Sequence, residues 1–273
     1  MSESVVPAEG EHLTNGWEPD APEDDSLVRR AVLVHASWPV AVARALGAPH
    51  RRTDGWAGAL IGSTGELSNP VVLTRPVAAA DAADLVAEVG ALVPPESAYF
   101  LLSPWLEPDY AAHGLVLIGH PPLMARFPRP DEQGSPVAAP DGVEVVEVAD
   151  AERLAVAERV LVEGYPMPGT APGSILRPGL LDGATRVWLG YVDGEPASVA
   201  CAHTAHGATL VEYVAALPSA RGRGAGAAVT RAATLADPAL PAVLVASDDG
   251  RPTYERLGYV AIERWTAWLR PAG

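Results

Sequence analysis

Residues Tyr213–Arg231 read YVAALPSARGRGAGAAVTR. A strand-like run ends at Leu217, Pro218 cannot continue it, and Arg221-Gly222-Arg223-Gly224-Ala225-Gly226 opens onto an alanine-rich helical stretch. Glycines let a backbone adopt unusual dihedrals and approach a ligand closely. Free N–H groups at a helix start, with the helix dipole behind them, favour an anion such as a pyrophosphate. Arg221 and Arg223 add charge-assisted donors. The spacing does not fit a G-x-G-x-x-G dinucleotide fingerprint, whose third glycine would fall at Ala227 or Val229, nor a Walker loop, because the chain has no lysine. A merely structural strand-to-helix turn is the alternative reading of these six residues.

Two further groups invite chemistry. Glu212 precedes the loop on a strand and shares a face with Leu210 and Val214; an acid there is unusual without a role. Cys201, His203 and His206 form C-x-H-x-x-H. Strand alternation puts 201 and 203 on one face and 206 on the other, or in the Gly207 turn, which argues against a metal site. Cys201 has no evident base and orienting partner for nucleophilic work.

The elements that must position these residues alternate in type. Val143–Val148 reads as a strand, and Ala151–Glu163 as an amphipathic helix with Leu154, Ala157, Val160 and Leu161 on one face. Gly164–Gly183 is rich in Gly and Pro and is expected to be irregular. Strands follow at Arg186–Val192, Ala197–Thr204 and Thr209–Leu217, the first two joined by an Asp193-Gly194 hairpin turn. After the loop come a helix to about Ala236, a strand Ala242–Ser247, a short helix around Thr253–Leu257 and a last strand pair from Tyr259 to Leu269. The order β-α-loop-βββ-α-β-α-β is a mixed α/β unit.

The first half holds an echo of the second. Tyr110-x-x-x-Gly114 precedes Val116-Leu117-Ile118 and Tyr254-x-x-x-Gly258 precedes Val260-Ala261-Ile262, an offset of 144 positions (254 − 110). Upstream, Pro70–Thr74, a helix Ala79–Val93 and a strand Tyr99–Ser103 parallel the later strand, helix and strand. Internal duplication accounts for such an offset; an unrelated α/β lid is the alternative. The first copy has Arg75-Pro76-Val77 where the second has its glycines. The expected organisation is an acidic tail at 1–25, a first domain at 26–128, a linker at 129–141 and a catalytic domain at 142–273.

Composition sets the outer limits. The 273 residues carry a net charge of −15, which argues against nucleic acid as a partner. No apolar run is long enough for a membrane span, and the N-terminus lacks the features of a signal peptide. The single cysteine fits a reducing compartment. The cytoplasm is the expected location. All 19 basic residues are arginine, which together with the Ala, Gly, Pro and Val content reads as codon bias. The tail reads as a solvated arm, with an intramolecular cover for a basic site as the alternative.

The loop resembles motif A of the GNAT acetyltransferases, [QR]-x-x-G-x-[GA], with Arg221, Gly224 and Gly226 in the defining positions. Val243–Gly258, with Tyr254, Gly258 and Tyr259, resembles the family's motif B region. The match covers about 130 residues, roughly Val143 to Pro271, and only the weaker echo extends it. The resemblance implies a GNAT fold in the C-terminal half, a mixed, mostly antiparallel sheet flanked by helices, preceded by a smaller, degenerate GNAT-like α/β domain. It implies acetyl-CoA as cosubstrate, held by Ala215, Ala216 and Leu217 on a splayed strand, by the amides of Arg221, Gly222, Arg223, Gly224, Ala225 and Gly226, and by Ser247. It implies no metal.

The activity implied is acetyl transfer from acetyl-CoA to a primary amine of a small molecule, by direct attack in a ternary complex. Tyr254 is the implied acid for the departing thiolate. Glu212 and, second, His203 are candidates for the base. The loop after the first helix, with Glu163, Tyr165 and Met167, is expected to build the acceptor pocket. Alternatives are a non-catalytic acyl-CoA-binding or regulatory module, or altered chemistry such as O-acyl transfer or decarboxylation. No nucleic-acid or membrane partner is implied, and the chain is expected to be a monomer or homodimer.

Overall fold

A computed structural model describes residues 26–62, 69–106, 108–132, 139–165, 167, 170, 171 and 173–273. The acidic tail, part of the 129–141 linker and part of the loop after Gly164 lie outside the described residues. The first described element is a helix, α1 (Leu27–Leu46), absent from the sequence expectations. Ser26 caps it by accepting from the Arg29 N–H at 3.1 Å, and Gly47 ends it in the left-handed region at φ 66. Beyond Arg30 most of its residues are apolar, and its interior contains Pro39, a residue ordinarily read as ending a helix. That pattern fits its surroundings: α1 packs on strands of both halves of the chain.

Two sheets form the rest. The first half contributes β1 (His50–Arg52), β2 (Trp56–Ala59), β3 (Pro70–Leu73), the helix α2 (Ala82–Leu92), β4 (Tyr99–Ser103), β5 (Val116–Gly119) and β6 (Pro122–Arg126). The second contributes β7 (Val143–Glu147), α3 (Ala151–Gly164), β8 (Thr185–Val192), β9 (Glu195–Ala205), β10 (Ala208–Ala216), α4 (Ala225–Thr234), β11 (Ala242–Val245), α5 (Arg251–Arg256), β12 (Val260–Arg264) and β13 (Thr266–Arg270). The strand orders are β1-β2-β3-β4-β13-β5 and β12-β6-β11-β10-β9-β8-β7. Each half therefore gives one strand to the other's sheet. β6 lies antiparallel between β11 and β12, with Leu123 opposite Val245 and Ala125 opposite Val260. β13 lies antiparallel between β4 and β5, with Trp268 opposite Leu101 and Leu117.

This corrects the expected terminal strand pair: β12 and β13 are consecutive but belong to different sheets. The turn between them passes the β5–β6 turn where the strands cross. There Trp265 N–H donates to the Pro121 carbonyl at 3.0 Å and the Arg264 guanidinium to the His120 carbonyl at 2.7 Å. Trp265 is fully buried, its ring 4.8 Å from that of His35 on α1. The 144-residue offset runs through the exchanged strands, from 122–126 to 266–270. It also reaches the turns before β5 and β12, where Gly114 and Gly258 have φ 83 and φ 89 and the next N–H returns to the Tyr110 or Tyr254 carbonyl.

Local chemistry fixes the second sheet. Asp193-Gly194 and His206-Gly207 have positive φ at both residues, the type I′ turns that match strand twist. Gly190 lets α4 press onto β8, because a Cβ there would lie 2.8 Å from Val229 Cγ1. Asp150 caps α3 by accepting from Arg153 N–H at 2.8 Å. Among the described residues no helix is long and apolar enough to cross a membrane.

Since the ladders hold the halves together, a protease site inserted between Gly134 and Ser135 and then cut is expected to leave two fragments that co-elute on size exclusion. Recovery of two separately folded fragments would contradict the exchange.

Candidate active site

β10 is the axis of the site. Its pairing with β11 consists of Thr209 opposite Ala242 and Leu210 opposite Val243, and stops there. On its other side the register with β9 shifts between Glu212 and Ala215, and Tyr213 sits at φ 52. A bulge with a left-handed tyrosine bends the strand away from its parallel neighbour. β11 continues against β6 instead, out to Val245 opposite Leu123. The resulting gap is a cleft of 1320 Å³.

The 221–226 loop stands at this cleft. Pro218–Ala220 makes a single tight turn after β10. Gly222 and Gly224 take φ 78 and φ 82, and α4 starts at Ala225 with no side-chain cap. The first intrahelical bond runs from Ala228 N–H to the Gly224 carbonyl at 3.0 Å, so the amides of Ala225, Gly226 and Ala227 have no partner within the helix. Arg221, Gly222, Gly224, Gly226, Ala215, Ala216 and Ser247 all line the cleft. Leu217 and Ala225 do not; they pack into the core. Arg223 turns outward and pairs with Asp193 at 3.0 Å. Arg221, Arg256 and Arg264 line the cleft with no carboxylate partner among the described residues. Arg221 and Arg256, with the loop amides, suit a ligand carrying several phosphates, while Arg264 donates to the His120 carbonyl at the strand crossing.

Glu212, Tyr213, Tyr165 and Tyr254 line the same cleft. Burial raises the Glu212 carboxyl to about 7, against an opposing hydrogen bond with the Tyr213 backbone. Burial, with the charge of Glu212 second and Tyr165 third, raises the Tyr254 phenol to about 12. Tyr165 is raised by burial and then by Glu212, and Tyr213 by burial and then by Glu212, Cys201 and Tyr165. A carboxyl poised near neutrality is thus surrounded by phenols held neutral. Full proton transfer from Tyr254 to a departing thiolate would run uphill, since a thiol ordinarily titrates near 8.5. Tyr254 is held from behind: Arg126 on the exchanged β6 donates from Nε to the Leu257 carbonyl at 2.8 Å and pairs with buried Glu132, which also pairs with Arg231 on α4.

Other sequence candidates lie elsewhere. His203 is buried in the core, not on the cleft wall. Its Nε2 lies 2.9 Å from Ser37 Oγ and its Nδ1 2.9 Å from Thr185 Oγ1. Ser37 gives its own proton to the Val34 carbonyl at 2.8 Å, so Nε2 donates and Nδ1 accepts. Burial, then His206, lowers this imidazole to about 4. With both nitrogens engaged, it is a packed and satisfied core histidine. Glu163 lines a separate 500 Å³ cavity beside α3, whereas Tyr165 and Met167 line the main cleft. Gly164 brings that loop over β10, where a Cβ would lie 3.0 Å from the Ala216 carbonyl carbon. Cys201 is fully buried and its thiol is raised by burial. Among the described residues no group of three His, Cys, Asp or Glu is placed to hold a metal ion.

Sequence reading missed the contributions of the first half. Phe100 and Leu102 of β4, and Ile118, Gly119, His120 and Pro121 around the β5–β6 turn, line the cleft. Trp38 on α1 packs edge-on to Tyr213 at 5.1 Å and lies 5.7 Å from His203, supporting the bulge from below. No local motif marks these residues; they reach the site only through the strand exchange and α1.

No protein-family model and no curated protein matches the sequence. Solved structures do match its fold. A GCN5-related N-acetyltransferase from Kribbella flavida aligns over 87% of this chain and 96% of its own, at TM-score 0.61 and 24% identity. A functionally unknown conserved protein from Staphylococcus epidermidis ATCC 12228 aligns over 84% and 96%, at 0.58 and 13%. A GNAT-family acetyltransferase described as putative, from Novosphingobium aromaticivorans DSM 12444, aligns over 84% and 95%, at 0.52 and 20%. The fold is that of the GNAT acetyltransferases. It extends across both halves, as the duplication implied. Among the described residues the first copy of this GNAT fold has no counterpart of β7, and Arg75-Pro76-Val77 stands after β3 where the second copy has its glycines. Its Tyr110, the counterpart of Tyr254, is buried edge-on against Trp268 at 5.8 Å.

The raised Glu212 carboxyl carries a stability consequence. Its contribution is intact below the ordinary carboxylate range near 4.5 and is lost as pH rises through about 7, since the unfolded chain ionises more readily. Glu212→Gln is therefore expected to melt higher than wild type at pH 8 and no higher at pH 4. Equal shifts at both pH values in thermal melts would count against a raised carboxyl.

Proposed function

We propose that the chain is an acetyl-CoA-dependent N-acetyltransferase that acetylates a primary amine of a small molecule by direct attack in a ternary complex. The observation that carries this reading is that β10 parts from β11 after Leu210 and Val243, with Glu212 and Tyr254 inside the opening and the 221–226 amides beside it. Amides and arginines fit the phosphates of the cosubstrate, and the unpaired edge of β10 at Ala215 and Ala216 fits its amide-bearing arm. The thioester it brings is already activated.

The chain's own residues then have three tasks. They hold the amine against the carbonyl, where proximity supplies much of the rate. Glu212, near 7, takes the ammonium proton directly or through water, leaving the lone pair free to attack. Tyr254 keeps its proton at any working pH and hydrogen-bonds the sulfur as the C–S bond breaks, while the proton shed by the attacking nitrogen passes to the thiolate, releasing the free thiol and the N-acetyl product. This role needs only a short hydrogen bond, which suits a phenol raised to about 12 better than full transfer to a free thiolate would. His203 has no part in these steps. The cytoplasm, and a small-molecule amine as the partner, belong to the same reading.

Thiol release from acetyl-CoA across an amine panel tests it. Tyr254→Phe is expected to lower kcat by roughly 10–100-fold with acetyl-CoA affinity unchanged, and Glu212→Gln by about 10²–10⁴-fold with loss of the pH-dependent rise in rate through about 7. Wild-type rates in Tyr254→Phe would remove the hydrogen-bonding role. Tight acetyl-CoA binding without thiol release from any amine would support a non-catalytic acyl-CoA-binding module instead.

A further inference from the structure

One wall of the cleft comes from the six-stranded sheet of the first copy. Phe100 and Leu102 alternate onto one face of β4. Ala267 on the exchanged β13 stands opposite Leu102 on one side and Gly119 on the other, with Ile118 next to that row. Phe100, Leu102, Ile118 and Ala267 all face the cleft. Phe100, Leu102 and Ala267 pack together in the core beneath this part of the cleft, and Ile118 stands more exposed on the third strand. Ile118 is 45% exposed although it belongs to this wall.

The charges of the cleft are placed elsewhere. Its acids are Glu212, Asp248 and Asp249, on β10 and on the β11–α5 connection, and the charged group beside the wall is Arg264, at the strand crossing. An acceptor with a second ammonium lying on this wall would lose hydration against four apolar side chains and meet a like charge at Arg264, and both effects oppose binding. An acceptor whose remainder is apolar would gain from the same surface.

We propose that the acceptor is a monoamine with an apolar alkyl or aryl group, seated on Phe100, Leu102, Ile118 and Ala267 while its nitrogen faces Glu212. This rests on the acetyltransferase reading. The first copy, with no phosphate-binding glycines of its own, serves as the specificity wall of the second.

The full chain is assayed by thiol release with phenethylamine and hexylamine against spermidine. The apolar amines are expected to show kcat/KM at least about tenfold higher, and Phe100→Ala and Ile118→Asn to raise KM for phenethylamine at least about tenfold. Acetyl-CoA affinity, measured by calorimetry, should hold in both variants and serves as the check on folding. Preference for spermidine, or an unchanged phenethylamine KM in both variants, would overturn the proposal. If no amine releases thiol, the catalytic reading fails, and calorimetry of phenethylamine with the CoA-loaded chain decides the wall separately. Binding weakened by Phe100→Ala supports it, and no binding overturns it.

Discussion

A strand without a neighbour leaves a row of N–H and C=O groups, and each such group buried unpaired costs about 1–3 kcal/mol. In this chain that rule acts across the two copies of the fold. Without β6, β11 and β12 would face each other over a missing strand; without β13, so would β4 and β5. Each sheet is completed only by the other half, and the two turns that carry the strands across are tied to each other around buried Trp265. The cleft depends on this crossing. β6 gives β11 a partner to follow once it leaves β10, and the same β6 carries the Arg126 that holds the end of α5 beneath Tyr254.

A second dependence runs through Tyr213. Its left-handed backbone breaks the register with β9 just where β10 loses β11, and a non-glycine residue persists in such a conformation only when its surroundings hold it there. Trp38 on α1 supplies part of that support, and His203, fixed between Ser37 and Thr185, supports Trp38 in turn. A histidine that looked like a base is thus part of the frame that positions the carboxylate.

How much of this was legible in the sequence follows from the range of each interaction. Arg221–Gly226 and Tyr254–Tyr259 are contiguous motifs whose meaning lies in local backbone geometry, and both emerged intact. So did the Asp193-Gly194 turn. α1 did not, because Pro39 in its interior is ordinarily read as a helix break. The exchange did not, because ladders between backbone groups leave no mark on side-chain identity; the 144-residue offset revealed two copies but not that they trade strands. His203 misled for a related reason: its partners Ser37 and Trp38 lie more than 160 positions away in the chain.

The bulge at Tyr213 also resets the alternation of β10, so that Glu212 and the Ala215–Ala216 edge are set in different phases of one strand. Adding or removing a single residue there would turn one set away while leaving the other in place, so this segment can diverge only by substitution at fixed length. The apolar wall is under no such limit. Phe100, Leu102 and Ile118 lie in the other copy of the repeat, away from the bulged strand, so the surface a ligand meets can drift over generations while the reactive strand stays fixed.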